Sequence, residues 1–348
     1  MIDRLAMLAC QGLLRRMSRA GAFLALTILF SGCTPKGSDV PFTDSRAPAG
    51  LGAGQLPPSG WAWGYIQTGQ RPPQRYGVTS PPIVPKADLV ILPGYGESAE
   101  VWFETVRDLV LEGYTVWVLE RAGQGGSGRY VLPRDMGYVP SFEPDISTLR
   151  AFVRTIVRPR IGRPLILVGY ADGAVVGLRA VQTGLIVDGI VMVSPMTTKP
   201  FAHRIIGLER FPAPGWKPWH QRMPDDFTRG LTHDRLRGST RSAWQAANPD
   251  LRMAGPSRGW IAAFGEASHQ ALDQAAATGS PILVITGNSA DADIMALCRS
   301  AKHCRAQKIA DAKQALHVES DRWRRPWLEA VKSFIDLAAP TAITPHEP

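Results

Sequence analysis

The stretch Leu165-Ile-Leu-Val-Gly-Tyr-Ala-Asp-Gly-Ala-Val-Val-Gly-Leu178 decides the fold. It begins as an apolar, strand-like run and turns sharply after Gly169. It then passes through small residues into a segment with Val175, Leu178 and Val181 on one helical face. Glycines two before and two after a central residue are what a nucleophile elbow needs. The central residue sits on a strained turn, where strand and helix backbones approach too closely for a Cβ. A serine, cysteine or aspartate belongs at that apex. Here it is Ala171, which offers no nucleophile.

Moving the frame does not restore one, because Asp172 at the apex would put Tyr170 where a small residue is required. The residues keep the scaffold of a hydrolase without its reacting atom.

At 348 residues the chain can bury a large core, and 45% hydrophobic with 20% charged residues is ordinary for a globular body. Ten tryptophans are more than a core alone needs. The formal charge is +9, with +6 left once residues 1–32 are set aside. That balance suggests anionic surroundings such as lipid headgroups, cell-wall polymers or nucleic acid, and the N-terminus chooses among them. Arg15, Arg16 and Arg19 precede an uncharged run from Ala20 to Phe30, then Ser31-Gly32-Cys33. A basic region, a short apolar run and small residues describe a secretory signal over residues 1–32. Cys33 after Ser-Gly resembles the lipobox of bacterial lipoproteins, with Phe30 a departure where leucine is usual. The resemblance implies lipidation of Cys33 and attachment to membrane lipid, not nucleic-acid binding. Residues 33–59, rich in Pro, Gly, Ser and Ala, read as a flexible tether, and residues 60–340 as the folded domain.

Within that domain Trp61–Thr68, Asp88–Leu92, Thr115–Leu119, the run from Leu165 to the turn at Gly169, Gly189–Val193, Ile282–Thr286 and Arg305–Ile309 read as strands. Helices are expected over Glu97–Glu112, near Glu143–Val157, after the elbow, near Ile294–Ser300 and from Trp327 to Leu337. Such alternation predicts an α/β architecture, a mostly parallel sheet flanked by helices on both faces. It stops between about residues 196 and 279, where Trp216, Trp219, Trp244 and Trp260 occur among many Pro and Arg; this stretch reads as an inserted helical cap.

Gly123-Gln-Gly-Gly-Ser-Gly128 fits the dinucleotide-loop pattern, but Arg129-Tyr-Val-Leu-Pro133 after it has no helical period to face a pyrophosphate. No cofactor is expected. Pro93-Gly94-Tyr95 ends a strand, so the N–H groups of Tyr95 and Asp172 could form an oxyanion hole. The Pro-Gly-Tyr-Gly-Glu loop, Glu97–Tyr114, the segment from Arg121 to Arg129, and Asn248–Trp260 together resemble the lysophospholipase and monoacylglycerol lipase group of α/β-hydrolases. The last of these resembles the cap motif of its bacterial lysophospholipase L2-like branch.

That resemblance implies an α/β-hydrolase fold and a Ser-His-Asp triad. The serine falls on Ala171, the histidine on Gln314, and the acid on Asp291 or Asp293. Gln314 cannot take and return a proton at neutral pH. His317, three residues beyond, reads as a buried histidine, and Ser194 as an ordinary strand-end serine. His203, His220, His233, His269 and His303 have no metal-ligand spacing, so no metal is expected. With Cys10 in the leader and Cys33 lipidated, Cys298 and Cys304 are left to form a disulfide in an oxidising compartment.

The function expected is that of a membrane-anchored pseudoenzyme binding a lipid, an acylated envelope molecule or a protein partner. Two alternatives stay open: an active lysophospholipase or esterase with a non-standard nucleophile such as Asp172 or a cap residue, and a structural lipoprotein with a vestigial cleft. The expected place is the bacterial cell envelope facing the periplasm. By resemblance to bacterial lipoproteins alone, Thr34 after the lipidated cysteine carries no inner-membrane retention cue, which implies the outer membrane.

Overall fold

The computed structural model describes residues 44–199, 207–223, 225–226, 229–288 and 291–338. The expected leader and Cys33 lie outside them.

Eight strands form one sheet: β1 (Ala62–Ile66), β2 (Gln74–Thr79), β3 (Ala87–Leu92), β4 (Tyr114–Leu119), β5 (Leu165–Tyr170), β6 (Gly189–Val193), β7 (Ile282–Thr286) and β8 (Cys304–Lys308). Their order is β1-β2-β4-β3-β5-β6-β7-β8. The β1–β2 and β2–β4 pairs are antiparallel and every other pair is parallel. Central strands are continuous apolar runs because both faces are covered. In β3, Val90 and Leu92 enter one core cluster while Leu89 and Ile91 enter the other.

The second cluster lies beneath helices α1 (Phe103–Leu111) and α7 (Asp321–Ala338), through Val106, Leu109, Trp327 and Val331. Helices α2 (Glu143–Phe152), α3 (Asp172–Gln182) and α6 (Ala292–Ser300) share the first cluster, through Ile146, Val175 and Ile294. Between β6 and β7 the chain leaves the sheet to build α4 (Arg235–Ala247) and α5 (Arg258–Asp273), the helices of the cap. Asp234 and Ser257 cap these two helices by accepting the N–H groups of Arg237 and Trp260.

Three expectations need correction. Strand β2 has no counterpart in the sequence reading, because Arg75 near its start looks like a surface residue. It is fully buried and bonded to Glu120 at 2.6 Å and Glu100 at 2.9 Å; its N–H donates to the Ser127 hydroxyl at 2.8 Å, and Gly126 leaves room for the guanidinium. Helix α7 begins six residues earlier than Trp327 and carries Pro326 inside it. The described part of the expected tether, residues 44–59, is docked rather than free. Arg46 and Asn248 exchange two hydrogen bonds of 2.7 and 2.9 Å, and Arg107 holds the Gly54 carbonyl at 2.6 Å. Gln55 is buried against Thr240 of the cap.

Candidate functional site

The register of the sheet brings the candidate residues together. Leu92 pairs with Gly169, so the Pro93–Tyr95 loop emerges beside the turn that leaves β5. Ala171 occupies that turn with φ 51° and ψ −119°, a conformation alanine tolerates poorly, and its N–H is held by the Val193 carbonyl at 3.1 Å. The flanking glycines are required by space. A Cβ on Gly169 would lie 2.4 Å from the Ala174 Cα, and one on Gly173 would lie 2.4 Å from the Leu92 carbonyl oxygen. Ala171 is the apex, and the apex carries a methyl group.

One of the two N–H groups expected for an oxyanion hole is engaged within the protein. The Tyr95 N–H does not point at an open position; it donates to Oδ1 of Asp172 at 2.7 Å. The other Asp172 oxygen accepts from the Arg121 guanidinium, and both side chains are buried. A carboxylate on that amide both uses the donor and repels a developing oxyanion. Each Asp172 oxygen thus already accepts one hydrogen bond from within the protein.

Of the positions where the sequence reading expects a triad, Ala171 and Gln314 line one pocket, and neither Asp291 nor Asp293 is among its lining residues. The Gln314 amide contacts the Met196 sulfur at 3.4 Å. Asp291 is committed elsewhere. Its Oδ2 accepts from the N–H and the hydroxyl of Thr197 at 2.7 and 2.8 Å, and its Oδ1 caps α6 through the N–H groups of Asp293 and Ile294. Asp293 is exposed on the first turn of that helix. Ser194 is buried at the end of β6 with a φ of 39° and is not among the residues lining the pocket.

His317 sits beneath the pocket floor, 1% exposed, as expected of a core histidine. Its partner was not visible in the sequence. Nε2 lies 3.0 Å from Oε1 of Glu97, the ring stacks on Trp102 with centroids 4.1 Å apart, and Tyr170 packs edge-on at 4.6 Å. The other Glu97 oxygen accepts from the Trp102 indole N–H at 3.0 Å. Burial pushes the Glu97 carboxyl upward, but His317 and the Trp102 N–H outweigh it, and its pKa lies below the ordinary glutamate value.

Above these residues the cap encloses a cavity of about 490 Å³. Its walls are mostly apolar, with Val101, Leu231, Trp260, Ile261, Phe264 and Val318 facing the Ala171 apex. That size and character suit a small ligand with a hydrocarbon portion. The sulfurs of Cys298 and Cys304, joining α6 to β8, are bonded to each other. No described helix is long and apolar enough to cross a membrane.

Comparison with known proteins agrees with this scaffold. Residues 84–317 match the family model described as serine aminopeptidase, S33. The chain is 27% identical over 214 residues to lysophospholipase L2 of Escherichia coli (strain K12), which is 57% of this chain and 62% of that protein. The match therefore spans less than two thirds of the relative's length. Among solved structures, a monoglyceride lipase from Saccharomyces cerevisiae superposes with a TM-score of 0.62 at 15% identity, over 80% of this chain and 96% of that one. A thermostable carboxyl esterase from Bacillus coagulans gives a TM-score of 0.62 at 15% identity, over 80% and 99%. Likenesses at that identity speak to fold alone. The chain belongs to the serine aminopeptidase S33 family, within the α/β-hydrolase superfamily.

Proposed function

We propose that this protein binds an acyl-chain ligand in the cavity beneath its cap and does not hydrolyse it through the elbow. The observation that carries the reading is the apex itself. Ala171 holds a nucleophile's backbone geometry without a nucleophile, and Asp172 beside it occupies the Tyr95 N–H. Gln314 in the same cavity supplies no general base. We further propose that lipidated Cys33 attaches the protein to the bacterial envelope, facing the periplasm and at the outer membrane. An acylated envelope molecule is then a ligand within reach, and an envelope protein is the alternative partner.

The second reading is an active hydrolase with another nucleophile. Kinship favours it over the first, since the relatives are named as a lysophospholipase, a lipase and an esterase. Within the cavity the Thr197 hydroxyl, bonded to Asp291 at 2.8 Å, is the candidate such a mechanism would need.

Native mass spectrometry and solvent extraction of the purified protein separate these readings. Recovery of an intact acylated molecule at near-stoichiometric amount supports binding. An empty protein that releases fatty acid from added esters supports hydrolysis.

A further inference from the structure

Five charged side chains bear on the cavity: Glu97, Asp172, Arg237, Arg241 and, behind Asp172, Arg121. Four of them already have an ionisable side chain of the opposite type within ion-pair distance. Glu97 meets His317, Asp172 meets Arg121, and Arg237 bonds Glu104 at 2.6 Å and Asp321 at 2.7 Å. Arg241 is the exception. Among the described residues no carboxylate lies within salt-bridge distance of it, and its one hydrogen bond is a long 3.5 Å contact to the Tyr95 carbonyl. Burial lowers its pKa from the ordinary arginine value, with Glu97 the main charge acting in the opposite sense.

The surroundings make room for that guanidinium. Gly96 has φ +74°, and a Cβ there would lie 2.8 Å from an Arg241 terminal nitrogen. Arg241 and Tyr95 also line a second cavity of about 310 Å³. Lys217, His220 and Arg222 line that cavity as well, and among its described lining residues there is no carboxylate. An apolar chamber thus adjoins a cationic one, and Arg241 belongs to both. Leaving a charge partly desolvated without a partner is unfavourable, and an anion placed against it recovers that energy.

We propose that Arg241 is the headgroup anchor of the cavity, and that the ligand is a single-chain amphiphile with an oxyanion head. Its chain lies against Trp260 and Phe264, and its carboxylate or phosphate lies on the guanidinium. This rests on the acyl-binding reading above and narrows it. A fatty acid and a phosphate monoester present the same chemistry to Arg241, so the probes must tell them apart.

The test is calorimetric titration of the full-length protein and its Arg241→Gln variant with three probes: dodecanoate, dodecyl phosphate and the neutral 1-monododecanoylglycerol. At least one anionic probe should bind the wild type about tenfold or more tighter than the neutral probe, the gain expected of one charge-assisted contact. Arg241→Gln should remove that preference and leave the neutral affinity unchanged, which also shows that the variant is folded. Whichever anion gains more identifies the source. Equal binding of all three probes by the wild type overturns the anchor while leaving acyl binding intact. An anion preference that survives Arg241→Gln, or loss of all three probes together in that variant, also overturns it. Failure of all three to bind the wild type overturns the acyl-binding reading itself.

Discussion

The elbow at residues 165–182 and the segment at residues 312–321 both border the cavity beneath the cap, yet they hold their shapes in different ways. The elbow is fixed by backbone sterics. Gly169 and Gly173 let β5 and α3 approach, and the apex conformation follows whether the residue there ends in a hydroxyl or a methyl. The 312–321 segment is fixed by side chains. The Glu319 carboxylate accepts from the N–H groups of Lys313 and His233, both at 2.8 Å, and from the Thr232 hydroxyl at 3.1 Å. Burial raises the Glu319 carboxyl, but the N–H groups of His233 and Lys313, with the His233 ring, outweigh it and depress its pKa. Neither arrangement depends on the groups that would react. The scaffold therefore survives alanine at 171 and glutamine at 314.

The largest effect should follow from breaking the backbone contact. Gly169→Val drives a side chain into the Ala174 backbone and should cost about 4 kcal/mol or more. Urea unfolding would show this as loss of most of the transition; an unshifted midpoint would mean the elbow is not sterically determined.

A smaller loss, about 3 kcal/mol, is expected for His317→Ala, which leaves buried Glu97 without its main partner. The pH dependence sharpens the point. The folded Glu97 pKa is depressed, so its contribution is present above the ordinary glutamate range and lost as pH falls through the folded value. Thermal unfolding of Glu97→Gln should accordingly show less destabilisation by acid than the wild type.

Replacing Cys298 and Cys304 by serine opens a short loop and should cost about 2 kcal/mol. Equal stability of the reduced and oxidised protein would contradict it.

The smallest effect concerns activity. Ala171→Ser alone should gain almost nothing, because an unassisted hydroxyl is a weak nucleophile. Ala171→Ser with Gln314→His should gain more than the two single changes combined, yet stay within about tenfold of background. Asp172 still occupies the Tyr95 N–H and Asp291 still holds Thr197. Efficient ester turnover by the double variant would show that those two contacts yield readily.

Much of this was legible in the sequence. Strand periodicity gave β6 and β7 at the bounds observed, and the glycine spacing placed Ala171 at the apex. What escaped depended on partners distant in the chain. Arg75 disguised β2, because the carboxylates that neutralise it are 25 and 45 residues away. The Pro- and Gly-rich approach to the domain looked unstructured, since its partners Asn248 and Thr240 lie in the cap. The commitment of the Tyr95 amide to Asp172 spans 77 residues and leaves no local trace.

The most direct test is fatty-acid release. Purified wild-type protein would be mixed with a lysophospholipid and a monoacylglycerol, with mass spectrometry of the products and fluorophosphonate labelling of the protein in parallel. No release above the buffer rate and no covalent adduct are expected. Saturable release, abolished by changing one identified residue such as Thr197, would contradict it and establish a hydrolase with a different nucleophile.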